Sequence, residues 1–178
     1  MKKQLIASLV GGIILFFWQF LSWSMLNVHG AEMTYTPNED KILEVLSENL
    51  TEGSYFLPGI PPETPSEEHE ALMMSNIGKP WVQIQYHESM SMAMGMNMFR
   101  AFVIDVLAIF LLTWILLKIP NLDFKTTLLS SLAVGAIGYL TITYLNAVWF
   151  ETNTIGHLID LVVSWGLVGT WLGWYLNR

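Results

Sequence analysis

The chain has 178 residues, of which 53% are hydrophobic and 13% charged, with a formal net charge of -7 and a mean hydropathy of +0.45. That balance lies on the membrane side of the range for soluble domains and leaves no room for a second soluble domain. Cysteine is absent, which excludes disulfide frameworks, thiolate metal sites, cysteine nucleophiles and thiol–disulfide exchange.

The first predicted element is an uncharged run from Leu5 to Leu26, preceded by Lys2 and Lys3. It is long enough to cross about 30 Å of hydrocarbon at about 1.5 Å per residue. Residues 1–28 are therefore read as a transmembrane helix. A cleaved signal peptide is the alternative, but its apolar core is normally about 7 to 15 residues, and His29 would stand where the peptidase prefers a small side chain.

Residues 29–97 follow as an acidic external segment in three parts. From Pro37 to Leu50, the apolar stripe Ile42, Leu43, Val45, Leu46 and Leu50 predicts a short amphipathic helix with an acidic start at Glu39 and Asp40. Next, GSYFLPGIPPETPSEEHE carries four prolines and two glycines, which predicts an irregular Pro-rich surface loop. The third part, Val82 to Met98, alternates with period two. Val82, Ile84, Tyr86, Met90, Met92, Met94, Met96 and Met98 fall at even positions, and the phase breaks at Glu88. An extended strand would place these groups on one face.

Three more spans complete the chain, at residues 98–118, 126–148 and 155–176. The fold class is an all-α membrane protein, a four-transmembrane-helix bundle with a small external segment between the first and second helices. Lys2, Lys3, Lys118, Lys125 and Arg178 collect on one side, whereas eleven acids lie from Glu32 to Glu88 on the other. Cytoplasmic loops hold the excess of Lys and Arg, so both termini are expected inside. The acidity of the outer segment argues against nucleic acid or anionic lipid as its partner.

Two sets of residues are candidates for chemistry. Asp105 and Asp160 are the carboxylates inside spans, where a charge costs about 2.5 to 3.5 kcal/mol and usually faces a partner or water. With Asn146, His157 and Gln19 at similar depth and Arg100 at the boundary, they predict a polar layer in the outer third of the membrane. It would either bind a cation or proton, or fasten the helices through an Arg100 ion pair. The second set is Met90, Met92, Met94, Met96 and Met98 with His87, whose thioethers and imidazole suit Cu(I). The commoner use of methionine is to fill irregular apolar gaps.

Gly169 and Gly173, Ser131 and Gly135, and Ser8 and Gly12 are small residues spaced one helical turn apart, as close helix packing requires. Trp18, Trp23, Trp149, Trp165, Trp171 and Trp174 lie near span ends, as interfacial anchors do. Nucleotide-binding, nucleophile-elbow and zinc-protease motifs are missing, and His69 among Glu67, Glu68 and Glu70 is expected in a solvated loop. No cofactor other than Cu(I) is implied.

The opening helix with LVGGIILFFWQFLSW, then Leu26 and His29, then an acidic helix and GSYFLP, resembles a loosely defined group of small bacterial inner-membrane proteins. They share one helix, an external segment and three further helices. The resemblance implies a bacterial inner-membrane location. The leading functional expectation is a non-enzymatic packing or accessory subunit that meets a membrane-protein partner or a second copy of itself. Periplasmic Cu(I) handling and a proton- or cation-linked role are the alternatives.

Overall fold

The computed structural model describes residues 1–178 and divides them into two compact units, Met1–Thr34 with Ala93–Arg178, and Tyr35–Met92. In the first unit, α1 (Lys2–Ser24), α4 (Met94–Leu116) and α7 (Ile155–Leu176) are single long helices. The third long segment is α5 (Phe124–Gly138), a π-helical stretch at Tyr139–Tyr144 and α6 (Leu145–Phe150). These four helices are long and apolar enough to cross a membrane. Ile6, Leu9, Ile13, Phe17 and Phe20 of α1 point outward, as they would toward lipid.

The core joins α1, α4 and α7 through Ala7, Leu15, Ile109, Leu112, Leu116, Val168 and Leu172. Helix α1 packs against both α4 and α7, and α5 packs against α7, so the lateral order is α4, α1, α7, α5. The small residues meet inside this one bundle. A Cβ at Gly169 would lie 2.9 Å from the Ser131 Cβ, and one at Gly135 would meet the Trp165 ring. At Gly12 it would lie 2.6 Å from Val106 Cγ2 and 2.9 Å from its Cα. Because backbone cannot yield as a side-chain tip can, Gly12→Leu is expected to push α1 off α4 and cost about 1 to 3 kcal/mol. Unfolding in mixed detergent micelles measures this.

Lys3 and the C-terminus define one end of the bundle. The Lys3 ammonium donates to the carbonyls of Leu176 and Arg178, both at 2.9 Å, completing the last turn of α7. Asp123 caps α5 by accepting from the Thr126 N–H at 2.7 Å. Hydrogen bonding from the Thr126 side chain, and then from its N–H, lowers the Asp123 pKa.

The second unit holds α2 (Glu39–Asn49), β1 (Gly53–Leu57), α3 (Ser66–Asn76) and β2 (Val82–Tyr86). The amphipathic helix forms where expected. Two expectations fail here. GSYFLPGIPPETPSEEHE is not one irregular loop: its start is β1, paired antiparallel with β2 in the register Gly53↔Tyr86 to Leu57↔Val82, and its end opens α3. His69 accordingly sits on a helix, with its Nε2 3.0 Å from the Thr64 carbonyl oxygen.

The methionine run is not one strand either. The strand stops at Tyr86, Met90 and Met92 lie in irregular chain, and Met94, Met96 and Met98 belong to α4. Unbranched Met94 and Met96 favour the helix and outweigh Gly95 and Asn97, so α4 begins four residues before the expected 98.

Candidate functional site: an imidazole–carboxylate cluster

Helix α1 ends at Ser24, and the chain reverses at Asn27, whose φ of 49° is left-handed, a conformation Asn tolerates. Backbone hydrogen bonds Gly30 N–H to Asn27 O and Glu32 N–H to His29 O then wind residues 27–32 into a tight turn. This turn lies against the first residues of α7. A Cβ at Gly156 would stand 2.8 Å from both Glu32 Oε1 and His29 Nδ1 and 3.0 Å from the Val28 carbonyl, so only glycine permits the approach. The next residue, His157, and Asp160 one turn on face the same turn.

Four titratable side chains meet there, at the end of the bundle remote from Lys3 and Leu176. His29 Nδ1 is 2.8 Å from Glu32 Oε1, and its Nε2 is 2.9 Å from Asp160 Oδ2. His157 Nε2 lies 3.3 Å from the second Glu32 oxygen. Asp160 Oδ1 accepts from Trp18 Nε1–H at 2.9 Å and from Ser22 Oγ–H at 2.5 Å, both on α1. Trp23 stacks on the His29 ring, with centroids 3.8 Å apart and planes at 6°, which holds the imidazole plane and favours its cationic form. His29 is 5% exposed, whereas Glu32 and His157 reach a polar cavity of about 660 Å³ that is also lined by Asn146, Glu151 and Asn153.

The electrostatics follow from these contacts. Burial opposes a charged His29 ring, but its hydrogen bonds to Glu32 and Asp160 and their negative charges outweigh burial, and its pKa is raised. The groups facing it are Glu32, Asp160, His157 and the Trp23 ring. A raised imidazole pKa contributes stability that is full below the unfolded value of about 6.5 and is lost as pH rises through the folded value. For the metal-free protein, the unfolding midpoint in detergent is therefore expected to fall as pH climbs above about 6.5. Asp160→Asn should flatten that dependence.

The polar layer expected from sequence is only partly assembled. Asp160 and His157 enter the cluster and Asn146 lines its cavity. Asp105 instead pairs elsewhere: its Oδ1 accepts from Gln19 Nε2–H at 3.1 Å, tying α4 to α1, and its Oδ2 is buried without a partner. Arg100 is exposed and forms no ion pair with either aspartate: five residues from Asp105 it lies about 140° around the same helix, and α4 lies away from the α1–α7 seam that holds Asp160. His87 pairs with Glu52 at 3.2 Å in the other unit. Among the methionines, Met94 and Met98 share a helix face, while Met96 lies about 200° around the helix from Met94.

Sequence reading passed over His29, Glu32 and Trp18. The available signal was the i, i+3 spacing of His29 and Glu32 just beyond a span, matched by His157 and Asp160 at the start of another. Trp18, read as an interfacial anchor, is a hydrogen-bond donor to the site. No family model, curated protein or solved structure matches this chain, so the chemistry of the site has to be read from its atoms.

Proposed function

We propose that this is a multi-pass inner-membrane protein, with both termini cytoplasmic, that binds a cation at the extracytoplasmic end of its bundle. One observation carries the reading: Glu32 lies between two imidazoles, and His29 lies between two carboxylates. Asp160 already accepts from Trp18 and Ser22, so the third contact, His29 Nε2–H, is also a donor to it. A neutral His29 would then turn the Nδ1 lone pair toward a carboxylate oxygen 2.8 Å away. Two acceptors at that distance repel, and a positive charge between them removes the conflict, either a proton on Nδ1 or a metal ion in its place. The Lys and Arg distribution supports the orientation, because it leaves the cluster opposite the cationic end.

The test uses the full chain in detergent, stripped with chelator and titrated with Zn²⁺, Co²⁺, Mg²⁺ or Ca²⁺. A cation that binds only the folded state should raise stability by about 2.7 kcal/mol at 100 times its Kd. If none of the four moves the unfolding midpoint, the reading fails.

A second reading, an accessory subunit that docks on a partner, is favoured by a separate feature of the second unit. Phe56, Pro58, Ile60, Met73, Ile77 and Trp81 line a mostly apolar groove of about 630 Å³, and exposed grooves of this kind commonly receive partners. Survival of a partner through mild-detergent purification, and its loss in Trp81→Ala, would favour that role.

A further inference from the structure

The donor set narrows the cation to one class. We infer that the site holds a divalent ion of the zinc class through His29 Nδ1, Glu32 and His157 Nε2. In this arrangement Asp160 is a positioning residue on His29, and the fourth position opens to the cavity. The inference rests on the cation-binding reading above.

Three geometric facts support it. First, the three donor atoms lie within 4.8 Å of one another. Tetrahedral zinc with bonds of about 2.0 to 2.1 Å holds its donors roughly 3.3 Å apart. The two short contacts, 3.3 Å from His157 Nε2 to Glu32 Oε2 and 2.8 Å from His29 Nδ1 to Glu32 Oε1, fall on different oxygens, so a small rotation of the carboxylate brings one oxygen within reach of an ion shared with both rings. Second, two imidazoles and one carboxylate suit zinc. Mg²⁺ and Ca²⁺ seek six or more oxygens, and Cu(I) seeks sulfur, which this donor set lacks.

Third, the surroundings are those of a metal-ligating histidine. Such a ring almost always donates its other N–H to a carboxylate or carbonyl, which fixes the tautomer and raises the basicity of the ligating nitrogen. Asp160 takes the His29 Nε2–H at 2.9 Å and is itself held by Trp18 and Ser22. Trp23 fixes the ring plane by lying flat on its face. That scaffold spans two helices and a turn, yet it terminates on a nitrogen, His29 Nδ1, whose neighbour is an acceptor.

Three protein ligands leave one coordination position, as in zinc sites that carry a reactive water rather than a purely structural ion. Glu32 and His157 both line the cavity, so a water or an oxygen ligand reaches that position from its polar side.

The experiment loads the chelator-stripped full chain with Co²⁺ as a spectroscopic stand-in for Zn²⁺. Expected are one equivalent bound, intense visible absorption bands of a four-coordinate N/O site, and displacement by Zn²⁺. His157→Asn should lose those bands; its side chain is 37% exposed, so it should still fold. Asp160→Asn, which leaves all three ligands in place, should weaken Zn²⁺ binding by about 10- to 100-fold.

Weak six-coordinate bands, or unaltered affinity in both variants, would overturn the zinc-class assignment while leaving cation binding intact. Stabilisation by Mg²⁺ or Ca²⁺ but not Zn²⁺ would do the same. Absence of binding by every ion would remove the broader reading as well.

Discussion

Glu32→Gln is expected to abolish cation binding, with affinity for Zn²⁺ falling by at least about 100-fold. Glu32 is the carboxylate that reaches both imidazoles, through its two oxygens at 2.8 Å and 3.3 Å. The amide keeps the shape but removes the negative charge and replaces one acceptor with a donor. It also relieves the acceptor–acceptor conflict with His29 Nδ1, because the new N–H donates to the lone pair. The variant should therefore fold without the ion, and the stabilisation by Zn²⁺ expected for the native chain should vanish. Competition against a chromogenic chelator reads the affinity directly. Retention of native affinity would show that the ion, if bound, lies elsewhere.

The second large effect is expected from Asp160→Ala, with a loss of about 3 kcal/mol in unfolding free energy. Three donors converge on this carboxylate, from Trp18, Ser22 and His29. Deleting it leaves all of them facing one another at the seam between α1 and α7, where little water reaches. Asp160→Asn should cost less, since its amide oxygen still accepts from α1. Reversible unfolding in mixed micelles distinguishes the two variants, and equal losses would mean that the charge rather than the hydrogen bonds holds the seam.

The spans were legible because lipid imposes a length and an apolar composition that few other structures require. Lys3 and Gly12 illustrate how far that legibility extends: a terminal cation and a small residue were visible as such, and the bundle assigns them a helix end and a backbone contact. What could not be read was pairing between distant segments. Gly53–Leu57 looked like loop because its partner, Val82–Tyr86, is separated by a Pro-rich stretch and a helix. The methionine alternation misled because period two persists by chance into residues that helix propensity claims; Glu88 marked where it ceased to mean strand.

The cluster itself was half visible. His157 and Asp160 announced a polar helix face, but their partners sit in a six-residue turn whose sequence carries no periodicity. His29 and Glu32 acquire meaning only because Asn27 turns the chain back and Gly156 lets the turn rest on α7. Asp105 was given the same role as Asp160 on depth alone. Depth does not specify azimuth, and Asp105 faces Gln19 instead.

The contacts of Asp160 also bear on how the chain matures. Its donors on α1 precede it by 142 and 138 residues, so α1 is synthesised well before α7 supplies the acceptor of Trp18 and Ser22. Until α7 arrives, α1 is held mainly by its packing with α4, and the imidazole–carboxylate cluster does not exist. Assembly of the site is thus a late event in biogenesis. A chain stalled after its third long helix would hold three of its four apolar helices and lack the proposed cation site.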